Sequence, residues 1–235
     1  MIDKKKYSKK LILTIIIILV AFMVGTDLVR AYIVNTAMGQ GENAYDKYDN
    51  DLAIMNYNRA IKFSLWDKEK KADSFLWRGR SYYGKQEYEL ALADFTEAIE
   101  LIKDYYPYYT WRARTHYKME NYELSIADFS KSIEITEFDG SDNWDIYLER
   151  AKSYSMNKEY NLEIADYDLA ISALDKKVNS PYISDDRINE LKEKRNEIIN
   201  YKNNTKRFIE YKKKNPESIL TYFEWSALDF FRGGK

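Results

Sequence analysis

The sequence predicts an all-α fold, an α-solenoid of stacked helical hairpins carried on an N-terminal transmembrane helix. Three observations predict it. Only eight Gly and three Pro occur in 235 residues, too few for the turns that sandwiches and barrels need every eight to twelve positions. A pattern of small and aromatic residues recurs through the middle of the chain. Its period is close to that of a two-helix repeat that cannot bury its apolar face alone.

The N-terminus comes first. Lys4, Lys5, Lys6, Lys9 and Lys10 precede the apolar run Leu11 to Val24, which Gly25 and Thr26 extend and Asp27 stops. At 1.5 Å per residue, roughly 16 residues cover about 24 Å, slightly less than the hydrocarbon core of a bilayer. Leu28, Val29, Ala31, Tyr32, Ile33 and Val34 prolong the apolar trend. No clean small-residue cleavage site follows the run, so residues 1–33 read as a basic start and an uncleaved signal-anchor, with secretion after cleavage as the alternative. The lysines place the N-terminus in the cytoplasm and the rest of the chain on the extracytoplasmic side of a single-pass membrane protein. Asp27 and Arg30, three apart, can pair near the interface.

The repeats follow. Tyr88-Glu89-Leu90-Ala91-Leu92-Ala93-Asp94-Phe95 returns 34 residues later as Tyr122-Glu123-Leu124-Ser125-Ile126-Ala127-Asp128-Phe129, again from Tyr160 to Ser172, and more weakly from Asp51 to Ile61. This divides the chain into units 34–71, 72–105, 106–143 and 144–177. Position 8 is Gly41, Gly79, Ala113 and Ala151. Position 20 is Ala53, Ala91 and Ser125, with Glu163 as a departure. Position 24 is Tyr57, Phe95, Phe129 and Tyr167; position 27 is Ala60, Ala98, Ser132 and Ala170. Small residues let two helices approach, and the aromatics fill the space beside them. Extra residues within Phe63 to Lys71 and Phe138 to Asn143 fit longer turns, the second carrying Asp139-Gly140-Ser141-Asp142.

These residues closely resemble the tetratricopeptide repeat (TPR) family over about 34–177. The terminal proline usual in that family is missing from every unit. The resemblance implies a right-handed superhelix whose inner wall is built from the first helix of each unit. It also implies a protein that binds other proteins.

Position 7 reads Gln40, Arg78, Arg112 and Arg150, while position 23 reads Asn56, Asp94, Asp128 and Asp166. Arg accompanies Asp, and amide accompanies amide. Each pair is expected to bond between the two helices of its own unit, as a scaffold device and not as an active site.

On a helical wheel, positions 2, 6, 9 and 13 of the first helices lie opposite the buried side. Position 9 supplies Arg80, Arg114 and Lys152. Trp77 and Trp111 stand one turn before the arginines, Tyr83 and Tyr117 border the strip, and Lys118 extends it. Trp and Arg are frequent hot-spot residues. The eight form a candidate groove for a protein or peptide segment with acidic and aromatic groups. The competing reading is packing: each Arg stacks on its own Trp, or the Trp rings fill against the next repeat. The Asn that carboxylate-clamp TPRs set beside their basic residues has no counterpart here, so that ligand is not carried over.

Residues 178–235 read as C-terminal capping helices. Ile188, Leu191, Ile198, Ile199 and Lys202 keep helical spacing. Asn215-Pro216-Glu217 reads as the start of a last helix, apolar nearly all round, that folds back on the array. Lys206, Arg207, Lys212, Lys213 and Lys214 read as a solvated face.

The sequence offers little chemistry. It has no Cys and one histidine, His116, at a position held by Tyr82 and Tyr154 in sister units. No catalytic set, metal site or cofactor is expected, and the charge of −1 gives no reason to expect nucleic acid. The chain reads as a non-enzymatic scaffold, assembly factor or chaperone-like protein at a membrane. The alternatives are a self-assembling structural subunit, for which an oligomer is compatible, or an accessory subunit of an enzyme complex.

Overall fold

A computed structural model describes residues 4–139, 143–179 and 184–231. The expected turn at Gly140–Asp142 and the side chains of Leu228, Phe230 and Phe231 in the last helix lie outside what it describes. Every regular element among the described residues is helical: α1 (Lys4–Asp46), α2 (Asn50–Phe63), α3 (Lys68–Gly84), α4 (Tyr88–Leu101), α5 (Tyr106–Lys118), α6 (Tyr122–Asp139), α7 (Trp144–Met156), α8 (Tyr160–Val178), α9 (Asp185–Lys214) and α10 (Tyr222–Phe231). They cluster into two compact units, Met1–Lys103 and Asp104–Lys235.

In the first unit α1 pairs with α2, α3 pairs with α4, and α2 packs on α3. Its core has two patches. Val34, Ala37 and Ala60 close on Met38 and Phe63. Ala44, Ala53 and Tyr57 close on Tyr45 and Trp77. The position-8 glycines are required by close approach: a Cβ on Gly41 would lie 2.8 Å from the Tyr57 ring, and one on Gly79 2.7 Å from the Phe95 ring.

The second unit repeats the design. Here α5 pairs with α6, α7 with α8, and α9 closes the end against α8. Ala113, Phe129, Ala151, Tyr167 and Ala170 share one core with Leu191 and Ile198 of α9. Burial of Leu191, Ile198, Thr205 and Phe208 gives α9 the apolar face its spacing predicts.

Each hairpin turns in the same way. Tyr48, Gln86, Glu120 and Lys158 have φ of 60°, 63°, 61° and 64°. The amide of the following residue reaches back to the carbonyl five before it: Asp49 to Ala44, Glu87 to Tyr82, Asn121 to His116 and Glu159 to Tyr154, at 2.8 to 2.9 Å. This is the left-handed cap that glycine usually provides.

Three expectations change. First, α1 is a single helix of 43 residues running without interruption from the apolar segment into the first hairpin. Second, the extra residues do not all form turns: α3 begins at Lys68, capped by Asp67, which accepts from the Lys70 amide at 2.9 Å, and α6 extends to Asp139. Third, the last helix starts at Tyr222 and not at Pro216. Glu224 accepts from the Thr221 amide at 2.8 Å while Thr221 Oγ1 accepts from the Glu224 amide at 3.3 Å. That reciprocal capping box fixes the start, and Asn215 serves as the C-cap of α9. As expected, α10 folds back: Trp225 is buried with its ring 5.5 Å from Phe208, and Tyr222 lies edge-on to Phe208 at 5.3 Å.

Candidate protein-interaction site

The arginine–aspartate pairs form as the spacing predicts. Arg78 donates to both Asp94 oxygens at 2.8 and 2.6 Å. Arg112 reaches Asp128 at 2.8 Å twice, and Arg150 reaches Asp166 at 2.8 and 2.7 Å. Two of these arginines also hold the preceding hairpin: Arg78 donates to Asn58, and Arg150 Nη1 donates to Ser130 Oγ at 2.9 Å. The fork therefore closes its own hairpin and joins it to its neighbour. The amide pair of the first hairpin does not form. Asn56 Nδ2 donates to the Leu52 carbonyl on its own helix at 2.9 Å, and Gln40 is exposed. A neutral amide finds a nearer acceptor one turn back, which the charged fork has less reason to prefer.

In the first unit, Trp77 is half-buried and meets Tyr45 edge-on at 5.4 Å. The Arg80 guanidinium lies 4.0 Å above Trp77 and 4.9 Å above Tyr45. Tyr83 meets Tyr88 edge-on at 5.6 Å across the hairpin turn.

In the second unit, Arg114 lies 4.7 Å above the half-buried Trp111. It also forms a bidentate pair with Glu149 of α7, at 2.7 and 2.5 Å. Tyr117 meets Tyr122 edge-on at 5.6 Å, and Lys118 and Lys152 are exposed. Tyr117 and Lys152 share a cleft of about 390 Å³ whose walls include Glu163, Tyr201, Tyr222 and Phe223.

The arginines thus do stack on their own tryptophans, and Tyr83 and Tyr117 close hairpin turns. The stacks remain half-exposed.

The spacing did not reveal three participants. Tyr45 contributes to the Arg80 stack from the preceding hairpin, and Glu149 pairs with Arg114 across hairpins. Glu163 is buried to 1% exposure. Only Glu163 left a signal in the sequence, as the one departure from a small residue at position 20. Its Oε1 accepts from Tyr167 OH and Thr205 Oγ1, each at 3.0 Å. Burial pushes its carboxyl above the ordinary glutamate range, against the pull of the neighbouring hydroxyls.

His116 is half-buried, 4.0 Å from Asp128, and burial holds its imidazole below the usual range. No group of three or more acidic or histidine side chains among the described residues is placed to hold a metal ion.

Comparison with known proteins agrees with this geometry. A family model for the tetratricopeptide repeat matches residues 72–105 and 106–139. Among solved structures, a crystal structure of MamA superposes with a TM-score of 0.57 at 18% identity, covering 63% of this chain and 81% of that one. Residues 41 to the end of MamA from Desulfovibrio magneticus RS-1 give 0.52 at 9%, covering 76% and 96%. The TPR-like repeats of a putative kinesin light chain from Podosopora anserina give 0.53 at 10%, covering 81% and 98%. At these identities the likeness concerns the fold. A search among curated proteins finds no match. Residues 72–105 and 106–139 are thus matched as tetratricopeptide repeats, and the hairpins α1–α2 and α7–α8 on either side of them end in the same left-handed turn.

Proposed function

We propose that the chain is a membrane-anchored interaction module, a scaffold, assembly factor or chaperone-like protein that holds a partner segment against the first helices of its hairpins. The repeated Arg-on-Trp stack carries this reading. Arg80 on Trp77 and Arg114 on Trp111 occupy equivalent positions in separate units, half-exposed. A stacked guanidinium keeps its N–H edges for a carboxylate while the indole offers apolar area. A segment with acidic and aromatic groups suits that surface. At Arg114 its carboxylate would take the place of Glu149. Tyr83, Tyr117, Lys118 and Lys152 form the margins.

The anchor reading is supported by α1. Ile15, Ile16, Ile17, Phe22, Met23, Val24, Leu28 and Val29 are all exposed, and the stretch beginning at Thr14 is apolar enough to cross a membrane by length and composition. The basic start before it favours a cytoplasmic N-terminus with the hairpins on the extracytoplasmic side. The proposed role involves no catalysis by this chain.

Cross-linking in intact membranes followed by pull-down of the full chain tests the reading. A partner protein captured by the wild type should be lost from the R80E/R114E variant, which reverses the charge of both stacks, while its helical circular dichroism and melting show that it is still folded. Equal capture by both would remove the arginines from the site.

A further inference from the structure

The loop between α2 and α3 contains an exposed apolar pair that the hairpin ladder does not use. Trp66 is 83% exposed and Leu65 57% exposed, whereas Ser64 just before them is buried. They fall in the segment where this repeat exceeds the 34-residue period. The loop is held tightly: Ser64 Oγ donates to the Ala60 carbonyl at 2.9 Å, and Asp67 caps α3. A rigid loop showing Leu and Trp to water is an unfavourable arrangement unless something covers it.

Its position indicates what does. The loop sits against α1. Phe63 packs with Val34 and Ala37. Asp27, Arg30, Ala31 and Val34 share a cavity of about 270 Å³ with residues 63–67. Asp27 is the first charge after the apolar run, and it is paired with Arg30 at 3.0 Å. Residues 27 to 34 rise about 10 Å along a helix, comparable with the headgroup boundary of a bilayer. Tyr32, at the same level on α1, is 72% exposed. Two exposed aromatics level with the exit of an apolar helix match the aromatic belt of membrane proteins. Lys62 and Lys68, both exposed, flank the loop and can keep their ammonium groups in water while their stems lie along the boundary.

We infer that the α2–α3 loop is a second membrane contact, with Leu65 and Trp66 seated in the lipid headgroup boundary beside the emerging α1. The inference rests on the anchor reading above and adds to it. Because α1 is continuous, the loop and the anchor together would fix the tilt of the first hairpins over the bilayer instead of leaving them on a swivel.

The absence of cysteine makes the test clean, since one introduced thiol is a unique labelling site. Nitroxides are placed in separate full-length variants at L65C (keeping Trp66), M23C and K47C. Each is reconstituted in phosphatidylcholine vesicles with a nickel chelate on both sides, and accessibility to oxygen and to the chelate is read by power-saturation EPR. The label at position 23 should be oxygen-accessible and shielded from nickel, and the label at position 47 freely nickel-accessible. The label at position 65 should be several-fold less nickel-accessible than that at 47. Equal nickel accessibility at 65 and 47, with position 23 shielded, would overturn the loop contact and leave the anchor intact. Nickel accessibility at position 23 equal to that at 47 would overturn both.

Discussion

At the scale of single residues, the recurring arginine is the most informative group. Its side chain is largely removed from water, 19% exposed at Arg78 and 15% at Arg150, against aspartates at 4% and 3%. Removing one partner leaves a buried charge without its counter-charge, which costs about 3–5 kcal/mol. The mutual interaction is smaller. We expect a double-mutant cycle on Arg112 and Asp128, using leucine for each and read by urea melting, to give a coupling of about 1.5–3 kcal/mol. Additive single effects would show that the pair does not interact. These pairs were readable in the sequence because a charged residue and its counter-charge vary together from unit to unit. The Arg114–Glu149 pair was not, because it joins two hairpins and occurs once. Glu163 was visible only as an anomaly. Its raised native carboxyl means that the folded chain holds a proton where the unfolded chain has lost it. Stability from this group therefore grows as pH falls from neutrality and levels off below the ordinary glutamate value. The E163Q variant, which is never charged, should melt higher than the wild type near pH 7.5, and the difference should shrink as the solution is acidified. A difference that widened toward acid would reverse the assignment.

At the scale of elements, the hairpins were legible from the spacing of small and aromatic residues, since Gly79 against Phe95 and its counterparts leave no room for another arrangement. The turns were legible in place but not in conformation. Tyr48, Gln86, Glu120 and Lys158 carry no glycine signal, yet all four adopt the left-handed backbone. A β-carbon there costs about 1–2 kcal/mol, partly offset by the greater freedom glycine loses on folding. The E120G variant should therefore gain about 0.5–1 kcal/mol in urea melting, an unusual case of glycine stabilising a helical protein. A loss of stability would mean that the Glu120 side chain contributes more than its backbone costs. Two helix boundaries were misread for a physical reason. Asn215-Pro216 has the chemistry of a helix start, but Thr221 and Glu224 satisfy each other's backbone amides and take the start instead. The first hairpin was assigned its own beginning at residue 34, yet nothing in the sequence there, neither proline nor a capping residue with a break in periodicity, stops a helix already in progress.

At the scale of the molecule, the continuity of α1 changes how an anchor and a repeat array relate. A flexible linker would let the hairpins sample many heights and tilts above the bilayer. On the proposed anchor, one helix from the apolar segment to Asp46 would present the first hairpin at a defined height. In the second unit, α9 and α10 close the end, with Trp225 covering Phe208. Each unit bears one Arg-on-Trp stack, half-exposed on the face of a first helix. In the proposed role those faces meet the partner, and the second helices of the hairpins support them.

Site-specific photo-cross-linking in membranes tests that assignment most directly. A photoreactive amino acid is placed at Lys118 or Lys152, both exposed at the margin of the proposed site, and, as the comparison, at Glu134, exposed on α6. The account predicts a discrete protein adduct from positions 118 and 152 and none from position 134. An adduct of the same mass from position 134 alone, or equal adducts from all three, would contradict it.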